Sequence, residues 1–245
     1  MAEFDFSFLV GDKAGFEDLN IDVMSLPFIN ILQDLSPQVK KKSDNYVEGA
    51  EPGMFFNTGT KEVFSYIDVT VVKFEHTFLR WRPNRGGYFG QFSPEEVLKL
   101  RQSGAVFEDA DGSLVDGEGN EYQEAYTYYL VLWGENEMPS LALFSCTSSM
   151  LKEARRWNRE LGTRRLPNGQ PALPYFSVYR LRIKELSNDK GSWYGFEFAW
   201  VNFVSPSMFE DVKAERKELP NRQVSYAALE TTAAEVPAIE TSADY

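Results

Sequence analysis

Cysteine and histidine are nearly missing from this chain of 245 residues: Cys146 and His76 are the only representatives. One cysteine excludes a disulfide framework and a thiolate metal cluster, and one imidazole leaves no histidine pair for zinc. Long apolar runs are missing as well, none approaching the ~20 residues of a membrane helix. Residues Met1 to Val10, with Glu3 and Asp5, lack the basic stretch followed by an apolar run that marks a secretory leader. These absences predict a cytoplasmic protein with no membrane contact, placed in the host cytoplasm if a phage encodes it. Catalytic groupings are equally scarce. A Ser or Cys triad has no second histidine to draw on, so His76 reads as structural, and Cys146 reads as a buried small side chain rather than an activated thiol. The carboxylates of Asp109-Ala110-Asp111-Gly112 and Asp116-Gly117-Glu118-Gly119-Asn120 lack the spacing of an EF-hand loop, and Gly86-Gly87 lacks the Lys and Ser/Thr of a phosphate loop. Neither an enzyme nor a cofactor is expected.

What the chain has is bulk and rings. With 43% hydrophobic and 15% aromatic residues it can bury one substantial core, so one embellished domain is expected. The net charge of −12 argues against contact with phosphates, but the sum hides segregation. Residues 106–140 carry nine acids and no base, whereas residues 141–205 carry ten bases against five acids. Basic side chains therefore concentrate where the strands are predicted. Acidic ones fill the N-terminal arm, one loop and the C-terminal tail.

Local patterns divide the chain into an irregular, peripheral N-terminal arm and loop over 1–53, a β-rich domain over 54–220, and a tail over 221–245. The tail is low in apolar residues and reads as disordered. Within the domain, Asn57-Thr58-Gly59-Thr60 predicts a tight turn with positive φ at Asn or Gly. Tyr66 to Arg82 alternates as one long strand whose pattern blurs around Lys73 to Glu75, predicting a bulge. Ser93-Pro94-Glu95-Glu96 starts an inserted helix over 94–103, and an acidic hairpin follows over 106–121. Two strands, Tyr122 to Trp133 and Ser140 to Ser145, precede an amphipathic helix from Thr147 to Leu161. Its Arg155, Arg156 and Arg159 read as a solvated face, and Gly162 stops it. Strands Tyr175 to Leu186 and Trp193 to Val204 and a charged helix, Ser207 to Leu219, complete the domain. Three strands, a helix and two strands are the element order of an OB-fold-like β-barrel, so the fold class is mainly β, with a helix between the third and fourth barrel strands and peripheral helices. A sandwich with an excursion helix and an unrelated α+β sheet share the same pattern.

Two segments combine cations with rings. Arg80, Trp81, Arg82, Arg85, Tyr88 and Phe89 form one, and Phe176, Arg180, Arg182 and Lys184 on one alternation set form the other. Single-strand binders need that pairing, because every base offers a π-face for stacking while the backbone needs a cationic track. The expectation is that both segments line one open groove. Tyr126, Tyr128, Tyr129 and the rings of Trp193 to Phe203 read instead as core.

The five-strand, one-helix order with basic and aromatic strands, followed by a tail that closes on Glu240, Asp244 and Tyr245, resembles the single-stranded-DNA-binding proteins of replication systems, especially acidic phage-encoded ones. Leu35-Ser36-Pro37-Gln38 and the run Gly49 to Thr58 are similar to segments of uncharacterised phage proteins. The resemblance implies sequence-independent binding of single-stranded DNA during replication, recombination or repair. It also implies recruitment of replication or recombination proteins through Glu240, Asp244 and Tyr245. The tail here is more dilute in acid than the family's, and its terminal ring is Tyr rather than Phe. Oligomeric state stays open at this level, a homo-oligomer included. So do two other readings: an acidic DNA mimic acting on a host enzyme through residues 108–124, and a structural virion component.

Overall fold

Runs of β-branched and aromatic residues, punctuated by Gly, Pro and Asn, dictate a sheet protein, and the computed structural model has one. It describes residues 25–134, 139–189, 191–221, 224 and 226. Chain order is β1 (Ile29–Ile31), β2 (Phe55–Asn57), β3 (Val63–Phe64), β4 (Tyr66–Trp81), β5 (Tyr88–Phe92), α1 (Pro94–Gln102), β6 (Val106–Glu108), β7 (Leu114–Asp116), β8 (Glu121–Trp133), β9 (Ser140–Thr147), α2 (Leu151–Thr163), β10 (Ser177–Asn188), β11 (Gly191–Phe203) and α3 (Pro206–Glu218). The fold is mainly β, built on one strongly curled antiparallel sheet.

The long strands pair in the order β11-β10-β4-β8-β9, with β5 on the distal half of β4 and the β6-β7 hairpin joined to the start of β8. Three strands, then α2, then two strands is the element order expected from the sequence. Strands β9 and β11 end that curl, and residues from the N-terminal side lie against both of them. Leu143 on β9 donates its amide to the Pro27 carbonyl at 2.8 Å. On the other edge, Gln33 uses its side-chain amide as a strand would. Its Nε2 donates to the Tyr194 carbonyl at 2.9 Å, and its Oε1 accepts from the Tyr194 amide at 2.8 Å.

Two cores lie on opposite faces of the sheet. One gathers Ile67, Val69, Tyr128, Leu130, Phe144, Tyr179 and Phe196 beneath Trp157 and Leu161 of α2. The other gathers Leu79, Trp81, Tyr129, Val131 and Leu143 beneath Phe28, Val212 of α3 and Tyr226. Burial of one such ring stabilises by about 1.5–3 kcal/mol. The stretch from Leu26 to Leu32 is thus part of the interior, not a peripheral arm: Phe28 and Leu32 are fully buried. Sequence reading misses this because the stretch is short and its alternation too brief to separate from loop.

The expected break in β4 is present. The register slips between Val71 and Lys73, so Val72 is an extra residue and every side chain beyond it changes face. Ile67, Val69 and Val71 point toward α2, whereas Val72, Leu79 and Trp81 point toward α3.

Smaller features follow local chemistry. Ser93 and Glu96 form a reciprocal capping box, Oγ accepting from the Glu96 amide and Oε2 from the Ser93 amide. In the turn after β2, Asn57 Oδ1 accepts from the amides of Gly59 and Thr60. The positive φ expected at Asn or Gly falls on Lys61 instead, at 65°. Gly59 is needed for space, since a Cβ there would lie 2.9 Å from Pro27 Cβ. Helix α2 continues through Gly162 to Thr163 rather than stopping at Leu161. No helix among the described residues is long and apolar enough to cross a membrane.

Candidate nucleic-acid interface

The change of face in β4 decides where its cations go. Arg80 follows the bulge and projects opposite Leu79 and Trp81, on the face that carries Tyr122. Arg180 sits beside Asp68 before the bulge and grips it with two bonds, Nε to Oδ1 at 2.7 Å and Nη2 to Oδ2 at 2.6 Å. Along the strand, Asp68 and Arg80 are about 40 Å apart at the usual rise per residue. The two segments expected to share one groove therefore lie at opposite ends and on opposite faces of β4.

Within the first segment the structure keeps a smaller constellation. The guanidiniums of Arg80 and Arg82 lie 4.6 Å and 5.0 Å from the centre of the Phe89 ring, which is 45% exposed. Arg80 also stands 5.6 Å from the Tyr122 ring. Arg85 closes a 3-10 turn, Pro83–Arg85, between β4 and β5. Trp81, by contrast, is buried in the core, and Tyr88 packs edge-on against it at 5.9 Å, with burial raising its hydroxyl pKa. Neither offers a face to a base. For Trp81 the reason is period-two alternation, which puts it on the face opposite Arg80.

In the second segment Phe176 is not on the strand. It belongs to a 3-10 turn, Pro174–Phe176, and packs against Tyr175 and Phe209. Arg182 and Lys184 are exposed on β10. Glu240, Asp244 and Tyr245 lie outside the described residues.

Residues not expected at the interface extend the Arg80 face. Phe74, 40% exposed, meets Tyr126 edge-on at 5.3 Å, and His76 meets the same ring at 4.7 Å. Arg155 of α2 sits 5.9 Å from the Tyr126 ring. Glu124 lies between them, its Oε2 accepting from Arg155 Nη2 at 2.9 Å and its Oε1 2.9 Å from His76 Nε2 without hydrogen-bond geometry. The face thus carries a line of rings and cations from α2 to the β4-β5 turn, about 20 Å long between Phe74 and Arg80.

Carboxylates hold two of those cations. Arg80 pairs with Asp116 of the β6-β7 hairpin and stands 3.7 Å from the exposed Glu118. Burial alone would push the Asp116 carboxyl up. Bonds from the Asn120 side chain and amide, from Arg80 and from the Glu118 amide outweigh it and hold the group below the ordinary carboxylate value. The acidic hairpin read from the sequence is therefore a clamp on Arg80. Arg82 has no ion pair among the described residues. Cys146 is fully buried, which raises its thiol pKa well above the usual value, so it is inert as read.

Residues 6–225 match a family described as Pam3 phage gp34-like protein. No curated protein and no solved structure matches the chain.

Proposed function

Given a chain that belongs to the Pam3 phage gp34-like family, we propose that it binds single-stranded DNA without sequence preference, on the face that runs from Arg155 and Tyr126 to Arg82 and Phe89. The observation that carries this reading is the interleaving of part-exposed rings with guanidiniums close to them on one face of the curled sheet. Rings supply stacking of any base, and the cations neutralise the strand between stacks. Glu124 and Asp116 occupy the places that strand phosphates would take beside Arg155 and Arg80. Binding in this reading exchanges carboxylate for phosphate at those two positions, while Arg82 has no carboxylate to exchange among the described residues. The reading assigns the protein no catalytic step. Its role is to coat single strands in phage replication, recombination or repair, with Glu240, Asp244 and Tyr245 recruiting partner proteins.

A titration of the protein's fluorescence with an oligothymidine at increasing salt tests the reading. Expected is saturable quenching whose log affinity falls with log salt by about 0.7 per neutralised phosphate, hence a slope near −2 if Arg80, Arg82 and Arg155 all engage. Duplex DNA of the same length binds more weakly, because its bases are not free to stack. Absence of any affinity at low salt rules the reading out.

A further inference from the structure

A second concavity, separate from the ring-lined face, lies between α2 and the far half of the β10-β11 hairpin. Its volume is about 520 Å³, within the range of small-ligand sites. The floor is apolar, made by Met150, Leu186 and Phe196. Gly195 shapes it: a Cβ at that position would come within 2.7 Å of Leu186 Cδ1, so the bare backbone lets Leu186 lie across the hairpin.

The rim is cationic. Lys152, Arg155, Arg156 and Arg159 recur at spacings of three and four residues, which puts them along one stripe of α2, and Lys184 faces them from β10. One carboxylate, Glu153, also lines the site and binds Arg156. Arg155 is engaged by Glu124. Lys152, Arg159 and Lys184 have no ion pair among the described residues. Cations this close repel one another unless anions join them; Glu124 and Glu153 serve Arg155 and Arg156, which leaves the other three. The platform is rigid. Trp157 is fully buried, and the Tyr128 hydroxyl, 3.1 Å from the Ala154 carbonyl and 2.9 Å from Asn158 Oδ1, pins the helix from beneath.

We propose that this concavity is a nucleotide site, holding a phosphate on Lys152, Arg159 and Lys184 and the base against Met150, Leu186 and Phe196. A free mononucleotide and one nucleotide of a bound strand present the same chemistry. The site does not depend on the ring-lined face, although Arg155 borders both.

Calorimetric titration of the full chain with thymidine 5′-monophosphate, thymidine, inorganic phosphate and an oligothymidine separates the cases. Expected is binding of the monophosphate, competition by inorganic phosphate, and little binding of thymidine. Arg159→Ala and Lys184→Ala each weaken the monophosphate by about tenfold, Lys184→Glu by more, while Lys217→Ala, at an exposed position of α3, leaves it unchanged. Arg159 and Lys184 are surface groups, and an unchanged thermal midpoint verifies that each variant folds. If the monophosphate is silent but oligothymidine affinity falls in both variants, the site serves the strand, and the proposal stands with that source. A silent monophosphate together with strand affinity indifferent to both variants overturns the site and leaves the strand-binding reading intact. Monophosphate binding without strand binding does the reverse.

Discussion

Replacing Phe89 by alanine separates stacking from charge at the ring-lined face. The ring is 45% exposed, so its removal costs folding less than the roughly 3–5 kcal/mol of a core phenylalanine; about 1–2 kcal/mol is expected. The contacts from Arg80 at 4.6 Å and Arg82 at 5.0 Å are lost with it, but both cations remain beside the strand path. If one base stacks on Phe89, affinity for oligothymidine drops by about 1–3 kcal/mol, or roughly 5- to 150-fold. The salt dependence stays the same, because no phosphate contact has gone. Arg82→Ala gives the opposite signature: a modest loss at low salt and a slope shallower by about 0.7. Anisotropy titrations at four salt concentrations read both quantities. An unchanged affinity in Phe89→Ala, or a slope that changes with the ring and not with the cation, refutes the assignment of roles.

Three further outcomes follow from the fold. Gln33→Ala removes both bonds to Tyr194, costs about 1–3 kcal/mol and abolishes hydrogen-exchange protection of the Tyr194 amide; retained protection would show that the amide pair does not clasp the edge. Asp116, whose carboxyl is held below its ordinary value, contributes stability that is present above the unfolded value near ~3.9 and lost as pH falls through the lower folded value. Asp116→Asn should therefore flatten the fall of thermal midpoint between neutral and acid solution, and an identical acid limb contradicts the clamp. Tyr226 is buried between Phe28 at 5.9 Å and Tyr88 at 5.7 Å. A chain ending after Ala228 should melt like the whole protein, whereas one ending after Val224 should lose about 3 kcal/mol; equal melting of the two would remove Tyr226 from the core.

Much of the scaffold is legible in the residues themselves. Alternation over Tyr66 to Arg82 gives β4, the blur near Lys73 gives its bulge, and Ser93 with Glu96 gives the start of α1, because each depends on neighbours in the chain. The strand-helix-strand order comes through for the same reason. What is lost is whatever depends on partners far away. Phe176 alternates in phase with Arg180 on paper, but the strand begins only at Ser177. Arg180 looks free until Asp68 arrives from another strand, and Arg80 until Asp116 does. The bulge is visible in the pattern, yet its effect on faces is not, so Arg80 and Arg180 look like neighbours. Lys152, Arg155, Arg156 and Arg159 are exposed, as a solvated helix face should be, and only the fold shows that Lys184 of β10 stands across from them.

The single additional residue at Val72 makes the length of β4 matter by parity. An even change in length before Leu79 would slide the distal half without altering which side of it is greasy. An odd change would turn Leu79 and Trp81 away from α3, to the side of Tyr122 and Phe89, and drive Arg80 underneath α3, although every backbone pairing in the ladder could still form. Between Val72 and Leu79 this strand can change length only in twos.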